Sequence, residues 1–369
     1  MIALGLLNVI FGRIIVTLGS HYQSSNHQEV LEQIAPPVIN RIIDVTLIIS
    51  CFVVGFVMVA GAGANLQQQF GLPSWAGVLL CSLLIIVISF MDFNKITRVL
   101  GIFTPLIILM ILVVTANTFA GKTYDFTALH AVADTMEPVM PNIYLSVMNY
   151  FALCVMNGVS MVLVLGGSII RISDAEKGGA LGGVIIGVIV TCAALALFAN
   201  LDMVKDAAPH AHDCQPHPPL FAFAYTLVIF ALIFNTAFSL YYATARRFAG
   251  DDVRKMHRYI IGIVILGYIC SCGGFTKLVS WMYPLLGYMG FLVLAVLSIA
   301  WIQERDNIIR EKFLRRKMIR LLFRKYDDDY EFTRQNKQTF QKLGEMSAAD
   351  TEGLKKRHQS LCRRCCGKS

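Results

Sequence analysis

Nine long apolar stretches follow one another along residues 1–302 of the chain. The hydrocarbon core of a bilayer is about 30 Å thick, and a helix needs about 20 apolar residues to cross it. The stretches lie at residues 1–20, 42–65, 75–91, 99–119, 143–170, 178–201, 220–245, 259–276 and 278–302. Runs such as residues 79–88 do not alternate between apolar and polar side chains, as the strands of a transmembrane barrel would. The sequence therefore predicts an all-α membrane protein, a polytopic helical bundle with nine transmembrane helices.

The formal charge of +8 is concentrated in the C-terminal part of the chain. Residues 1–302 hold 14 Lys and Arg and 14 Asp and Glu, whereas residues 303–369 hold 18 Lys and Arg and 10 Asp and Glu. A basic segment beside a final span is typical of contact with the anionic lipids of the cytoplasmic leaflet. No nucleic-acid-binding motif accompanies the charge, so nucleic acid is not an expected partner. The expected partners are the lipid bilayer, with anionic lipids at the basic tail, and a small-molecule solute, while the oligomeric state is not determined.

The basic tail divides into two segments. Residues 303–326 combine apolar residues at helical spacing with Lys and Arg between them, which predicts an amphipathic juxtamembrane helix in the headgroup region. Residues 327–369 are more polar and are predicted to form a largely disordered cytoplasmic tail.

The distribution of Lys and Arg among the loops predicts the orientation. Loops on the cytoplasmic side are enriched in these residues. One set of alternate loops, at residues 21–41, 92–98, 171–177 and 246–258, holds 10 of them, and the other set holds 3. The first set shares its side with the basic tail, so the C-terminus of this multi-pass protein is predicted to face the cytoplasm from the cell membrane. Nine crossings then place Met1 outside, directly before an apolar run, and we expect that one earlier helix is absent from this chain.

Three stretches resemble a known family. Residues 58–73, MVAGAGANLQQQFGLP, resemble the third helix and the following turn of the YkvI-type bacterial membrane proteins. Residues 274–290, GFTKLVSWMYPLLGYMG, resemble the closing signature between the last two helices of that family. Residues 178–183, GGALGG, resemble the glycine-rich entry to its seventh helix. The resemblance covers roughly residues 1–302.

The resemblance implies a fold as well as a family. It places the chain in the amino acid–polyamine–cation transporter superfamily, whose LeuT-like fold consists of two inverted five-helix repeats. Members of this superfamily usually begin with a Gly-rich, broken first helix, and the first helix of this chain matches the second helix of the family. The expected fold is therefore a LeuT-like inverted-repeat bundle without its first helix, in agreement with the topology argument.

The stretch 143–170 holds the candidate substrate-binding residues. In inverted-repeat transporters the substrate lies near the midplane, where helices unwind and expose backbone dipoles. Through the resemblance, this stretch corresponds to the first helix of the second repeat, and its polar or small residues include Asn149, Asn157, Gly158 and Ser160. Asn157-Gly158 is a turn-prone pair, which favours a break whose carbonyls and amides contact a substrate. The alternative is that glycine permits close helix packing and asparagine bonds across helices.

The stretch 220–245 holds the candidate cation ligands Asn235, Thr236 and Ser239, which lie on one side of a helix. In sodium-coupled relatives the corresponding helix supplies hydroxyl ligands, so the resemblance implies a coupling ion such as Na+. The alternative is that the hydroxyls bond back to carbonyls of their own helix, as is routine in membrane spans. No other cofactor is expected.

Other motifs favour no further chemistry. The loop at 210–217 contains five potential metal ligands, but their spacing matches no standard zinc or copper site, so a solvated loop is favoured. The cysteines at 362, 365 and 366 favour an unstructured, reactive end over a metal site or a lipidated one. The sequence contains neither a GxxxxGK[ST] loop nor an HExxH motif, and we expect neither ATP-driven transport within this chain nor an enzyme.

Two functions follow from these observations. The first is uptake or export of a small organic solute, such as an amino acid or amine, coupled to a cation and performed by alternating access. The alternative is a non-transporting, degenerate membrane protein that acts as a scaffold or regulatory partner through its basic tail, and the expected absence of a first helix favours it.

Overall fold

A computed structural model of the protein describes residues 1–23, 27–91, 103–119, 129, 140–199, 219–250, 252–325 and 333–347. The predicted histidine-rich loop and the terminal cysteines lie outside these residues. The secondary structure of the described residues is helical. The helices are α1 (Ile2–Tyr22), α2 (His27–Ile34), α3 (Pro37–Phe70), α4 (Ser74–Ser89), α5 (Phe103–Phe119), α6 (Ile143–Gly167), α7 (Ile172–Ala199), α8 (Pro219–Ala249), α9 (Val253–Ser271), α10 (Phe275–Lys325) and α11 (Arg334–Met346).

Several of these helices are long and apolar enough to cross a membrane. Within the described ranges six satisfy both conditions: α1, α3, α6, α7, α8 and α10. Helix α4 and the apolar part of α5 from Ile108 to Phe119 are shorter apolar helices. The prediction of a multi-pass helical membrane protein is therefore confirmed.

Backbone contacts divide the chain into two compact units. Unit 1 comprises Met1–Ile2, Val45–Leu153 and Val188–Met289, and unit 2 comprises Ala3–Asp44, Cys154–Gly187 and Gly290–Ser369. The core of unit 1 is formed by buried apolar side chains of α3, α4, α8 and α9. Among its fully buried members are Val59, Ile85, Ala237 and Ile260.

The link between α3 and α4 shows how the sequence ends one helix and starts the next. Helix α3 ends at Phe70, and Gly71 follows with a φ of +67°, a left-handed conformation that glycine adopts without steric strain. Pro73 then immediately precedes the first residue of α4. Because a proline disfavours helical backbone angles at the residue before it, α3 does not continue through this position. The predicted helix and turn at residues 58–73 thus have the expected form.

Helices α1 and α7 of unit 2 approach each other through glycines. A Cβ placed on Gly12 would lie 2.7 Å from the carbonyl oxygen of Gly179, and one placed on Gly5 would lie 3.4 Å from Cα of Gly187. Since the later glycine of α1 faces the earlier glycine of α7, the two helices run antiparallel. Small residues let helix backbones come this close, which favours packing where lipid surrounds the bundle.

The last long helix extends further than the separate segments that the sequence predicts. Helix α10 is continuous from Phe275 to Lys325, so the last span and the amphipathic segment 303–326 belong to one helix. No glycine or proline occurs between Phe291 and Lys325, so nothing in the backbone ends the helix at residue 302.

Helix α11 lies within the segment that composition predicts to be largely disordered. Its Phe340 is buried against Met318, Ile319 and Leu322 of α10, and Leu343 packs against the same cluster. The side chain of Thr333 accepts a hydrogen bond from the amide of Asn336 and caps the helix start. Two apolar residues at helical spacing therefore pack a segment that is otherwise polar against α10.

Candidate functional site

The predicted break in the stretch 143–170 is absent. Helix α6 runs unbroken through Asn157, Gly158 and Ser160, all of which are partly buried. In an apolar environment an interrupted helix would expose unpaired amides and carbonyls, and this outweighs the turn preference of an Asn-Gly pair. The alternative of close packing at Gly158 is not seen either, because a Cβ there would meet nothing within 4 Å.

Asn149 has a structural role in unit 1. Its side chain is buried, and its Nδ2 donates a hydrogen bond of 2.9 Å to the carbonyl of Pro284 in α10. Gly287, one turn further along α10, leaves the space that the amide group occupies, since a Cβ there would collide with it. Asn149 thus bonds across helices, as the alternative for this stretch predicts.

The three candidate cation ligands differ in their surroundings. Thr236 is exposed, and its hydroxyl donates a hydrogen bond of 2.9 Å to the carbonyl of Leu232 in its own helix. Asn235 and Ser239 are partly buried. Thr236 therefore follows the alternative in which a hydroxyl bonds back to its helix, while Asn235 and Ser239 stay predictions.

Tyr241 is a buried polar residue that the sequence does not single out. Its ring is fully buried in unit 1 between Gly55 of α3 and Gly267 of α9, and a Cβ on either glycine would collide with it. Its hydroxyl has no hydrogen-bond partner among the residues that the structure describes, and the same holds for the buried hydroxyl of Ser82 in α4. A tyrosine late in an apolar stretch is also typical of a membrane interface, so its position in the sequence does not indicate that Tyr241 is buried.

Unpartnered hydroxyls are unfavourable in the interior of a membrane bundle. Each buried polar group without a partner costs several kcal/mol in an apolar medium, on the order of a lost hydrogen bond. Such groups persist where water or a polar ligand can satisfy them. Tyr241 and Ser82 are therefore the described residues of unit 1 that best suit contact with a polar solute.

Unit 2 contains a buried arginine beside the C-terminal end of α1 and the segment that follows α6. Arg315 is 1% exposed and forms an ion pair of 2.7 Å with Glu311, one turn earlier in α10. Its guanidinium donates hydrogen bonds to the carbonyls of Ser20, at 2.7 Å, and His21, at 2.8 Å. These carbonyls belong to the last turn of α1 and have no donor within their helix, so the cation satisfies them and the negative end of the helix dipole.

Arg315 also reaches the segment after α6, where it donates to the carbonyl of Ile170 at 3.3 Å. The amphipathic pattern of residues 303–326 predicts a helix in the headgroup region with Lys and Arg between its apolar residues, whereas the structure buries Arg315 of this segment. Helical spacing shows which residues share a face, but it does not show which partner covers that face.

A second carboxylate of unit 2 binds two cations. Glu176 of α7 lies 3.5 Å from Arg13 of α1 and 2.5 Å from Lys312 of α10. The carboxylate is largely buried, whereas Arg13 is about half exposed and contributes less, because solvent screens the pair. Glu176 thereby connects three helices of unit 2.

The chain has relatives among curated proteins, although no protein-family model matches it. It is 23% identical over 288 residues to the uncharacterised membrane protein YkvI of Bacillus subtilis (strain 168), which covers 78% of this chain and 82% of YkvI. It is 24% identical over 297 residues to the uncharacterised protein YyaD of the same organism, which covers 77% of this chain and 82% of YyaD. The resemblance that residues 58–73, 178–183 and 274–290 carry is therefore confirmed at the level of the family.

Proposed function

Because the chain is a relative of the YkvI-type membrane proteins, we propose that it is a secondary transporter of a small organic solute, such as an amino acid or amine, coupled to a cation such as Na+. The observation that carries the proposal is the buried Tyr241 hydroxyl, which has no partner among the described residues and lies inside an apolar multi-helix unit. A polar solute in this position would supply the missing hydrogen bond.

The proposal includes nine crossings in a LeuT-like arrangement, with the C-terminus on the cytoplasmic side of the cell membrane. Each of the nine predicted stretches coincides with one described helix, and α4, α5 and α9 supply the three beyond the six long apolar spans. Short helices cross a bilayer where it thins locally or where flanking residues reach its surface, which supports counting them.

The proposed solute contacts are revised by the geometry. Asn157, Gly158 and Ser160, which belong to unit 2, stay predictions from the sequence, and Asn235 and Ser239 of unit 1 stay candidate cation ligands. Asn149 and Thr236 already satisfy backbone carbonyls, so we assign them structural roles. Within unit 1, Tyr241 is added as a solute contact.

Reconstitution of the full chain in proteoliposomes tests this function. Amino acid and polyamine mixtures are applied separately under an inward Na+ gradient, with choline replacing Na+ as the control, and charge movement is recorded on a solid-supported membrane. Tyr241→Phe should lower the solute-dependent signal without lowering thermal stability, because the phenol oxygen has no described partner to lose. The matched control is Tyr242→Phe at the neighbouring, partly buried ring, which should retain transport.

One outcome would contradict the proposed function, and another would contradict only the role of Tyr241. A folded protein that moves neither class of solute under any gradient would favour the non-transporting alternative. Transport that survives Tyr241→Phe at the wild-type rate would remove Tyr241 from the site and leave the transporter assignment in place.

A further inference from the structure

We propose that unit 2 binds the phosphate headgroup of an anionic phospholipid in a basic cavity between the start of α7 and the later part of α10. The cavity has a volume of about 760 Å³. It is large enough for a headgroup and the first part of an acyl chain. Its lining contains six cations, which are Arg171, Lys177, Lys312, Arg315, Arg316 and Arg320.

The charge of this basic cavity is not neutralised by the carboxylates around it. Lys312 is paired with Glu176, and Arg315 is paired with Glu311. No carboxylate belongs to the lining within the described part of the chain. Lys177, Arg316 and Arg320 also line the cavity and give it a positive potential that favours an anion.

The first turn of α7 adds backbone donors to the same cavity. The carbonyl of Arg171 accepts from the amides of Asp174 and Ala175, so the helix starts there and the amides of Ile172 and Ser173 have no acceptor within it. Both residues line the cavity. A helix start of this kind binds phosphate through its amides and its positive dipole end, and the surrounding Arg and Lys side chains strengthen that attraction.

An apolar surface beside the cations distinguishes a lipid from a free phosphate. Ile309 and Phe313 line the same cavity and remain 57% and 58% exposed. They lie on the part of α10 nearer its apolar span, whereas Arg316 and Arg320 lie one to three turns further along. At 1.5 Å per residue, the apolar and basic ends are about 16 Å apart. This gradient matches an amphiphile whose chains lie along Ile309 and Phe313 and whose phosphate reaches the arginines.

The location is consistent with that ligand. The charge distribution of the loops predicts that residues 171–177 and the basic tail share the cytoplasmic side, where anionic lipids are concentrated. The inference does not depend on transport, because it concerns lipid binding by unit 2 alone.

Lipid binding by the purified full chain tests the proposal. Thermal stability and lipid retention in native mass spectrometry are compared for dioleoylphosphatidylglycerol and dioleoylphosphatidylcholine, which share their acyl chains and differ in headgroup charge. Arg316→Gln with Arg320→Gln should weaken phosphatidylglycerol binding about tenfold or more. The matched control is Arg305→Gln with Arg310→Gln, which removes two exposed cations of the same helix that do not line the cavity. Lys177→Gln provides a second test from α7 if the double variant does not fold.

Two further measurements distinguish a phospholipid from free phosphate as the ligand: competition with inorganic phosphate, and substitution of the apolar residues that line the cavity. Ile309→Ser with Phe313→Ser should weaken phosphatidylglycerol binding, and millimolar inorganic phosphate should not replace the lipid. If the Arg305/Arg310 control variant loses as much phosphatidylglycerol binding as the Arg316/Arg320 variant, the attraction is diffuse and the proposed site is wrong. Phosphate that stabilises the protein as strongly as the lipid, with no effect of the serine variants, would overturn the assignment to a lipid.

Discussion

The glycine contacts between α1 and α7 predict that two adjacent glycines respond in opposite ways to the same substitution. A Cβ on Gly183 would collide with the backbone of α1, where it would lie 2.5 Å from Cα of Val9 and 2.6 Å from the carbonyl carbon of Asn8. A Cβ on Gly182 would meet nothing within 4 Å. Ordinary carbon contacts are about 3.5–4.0 Å apart, so Gly183→Ala forces the two helices apart by roughly 1 Å.

The magnitude follows from two opposing effects. Replacing a helical glycine with alanine stabilises the helix by about 1 kcal/mol, and both variants share this gain. Overpacking a close contact costs about 1–3 kcal/mol, and only Gly183→Ala bears that cost. We therefore expect Gly182→Ala to be as stable as the wild type or more stable, and Gly183→Ala to be less stable than Gly182→Ala by about 1–3 kcal/mol.

Unfolding of the two variants in the same lipid nanodiscs measures this difference, because helix propensity cancels between them. The preceding turn repeats the comparison, since a Cβ on Gly179 would lie 2.9 Å from the carbonyl carbon of Gly12, while one on Gly178 would meet nothing within 4 Å. Equal stability of Gly182→Ala and Gly183→Ala would refute the assignment of the α1–α7 contact to this glycine face.

Three further outcomes are expected. Arg315→Met leaves Glu311 buried without its cation and should lower the free energy of unfolding by about 3–5 kcal/mol. Adding Glu311→Leu should restore part of this loss, and a double variant no more stable than Arg315→Met in thermal unfolding would contradict the argument. Phe340→Ala removes the buried ring that packs α11 against α10 and should weaken this packing by about 3 kcal/mol. Limited proteolysis within residues 334–346 should then become faster, and an unchanged cleavage rate would show that the ring does not hold the helix in place. The pKa of Asp252 is lowered by hydrogen bonds from the amides of Lys255 and Arg254, so its stabilising effect on α9 is present above the unfolded pKa of about 4 and is lost as the pH falls through the folded pKa. The difference in thermal stability between the wild type and Asp252→Ala should therefore shrink on acidification, and a difference that grows would reverse the sign of this argument.

The length of the apolar stretches was enough to predict the helices, without any periodic pattern. A chain in lipid must form its backbone hydrogen bonds within each crossing segment, and a helix does so. Each of the nine predicted stretches overlaps a described helix. Helix α3 continues to Phe70, past the predicted end of its stretch at residue 65, and Gly71 and Pro73 follow it as the resemblance of residues 58–73 to a helix and turn implies. The same physical rule explains why the predicted break at Asn157 is absent, since an uninterrupted helix keeps the backbone groups around Asn157 within its hydrogen-bonding pattern.

Side-chain roles were less accessible, because one-dimensional spacing does not identify the partner. Asn149 carries an amide suited to a ligand, yet it bonds to the carbonyl of Pro284, which only the fold brings within 2.9 Å. Thr236 bonds to a carbonyl of its own helix, an outcome that the sequence leaves open beside cation binding. Tyr241 became a candidate only after two glycines of other helices were seen to enclose it.

Local composition and length are enough to predict that this chain is a multi-pass helical membrane protein, to place its apolar helices and to recognise its resemblance to YkvI-type proteins. The tertiary structure decided that Arg315 is buried at the ends of α1 and α6, that Gly183 but not Gly182 touches another backbone, and that Arg316 lines a basic cavity. These features depend on which faces of distant segments pack together. The free energy of that packing comes from contacts between segments, which the sequence of one segment does not contain.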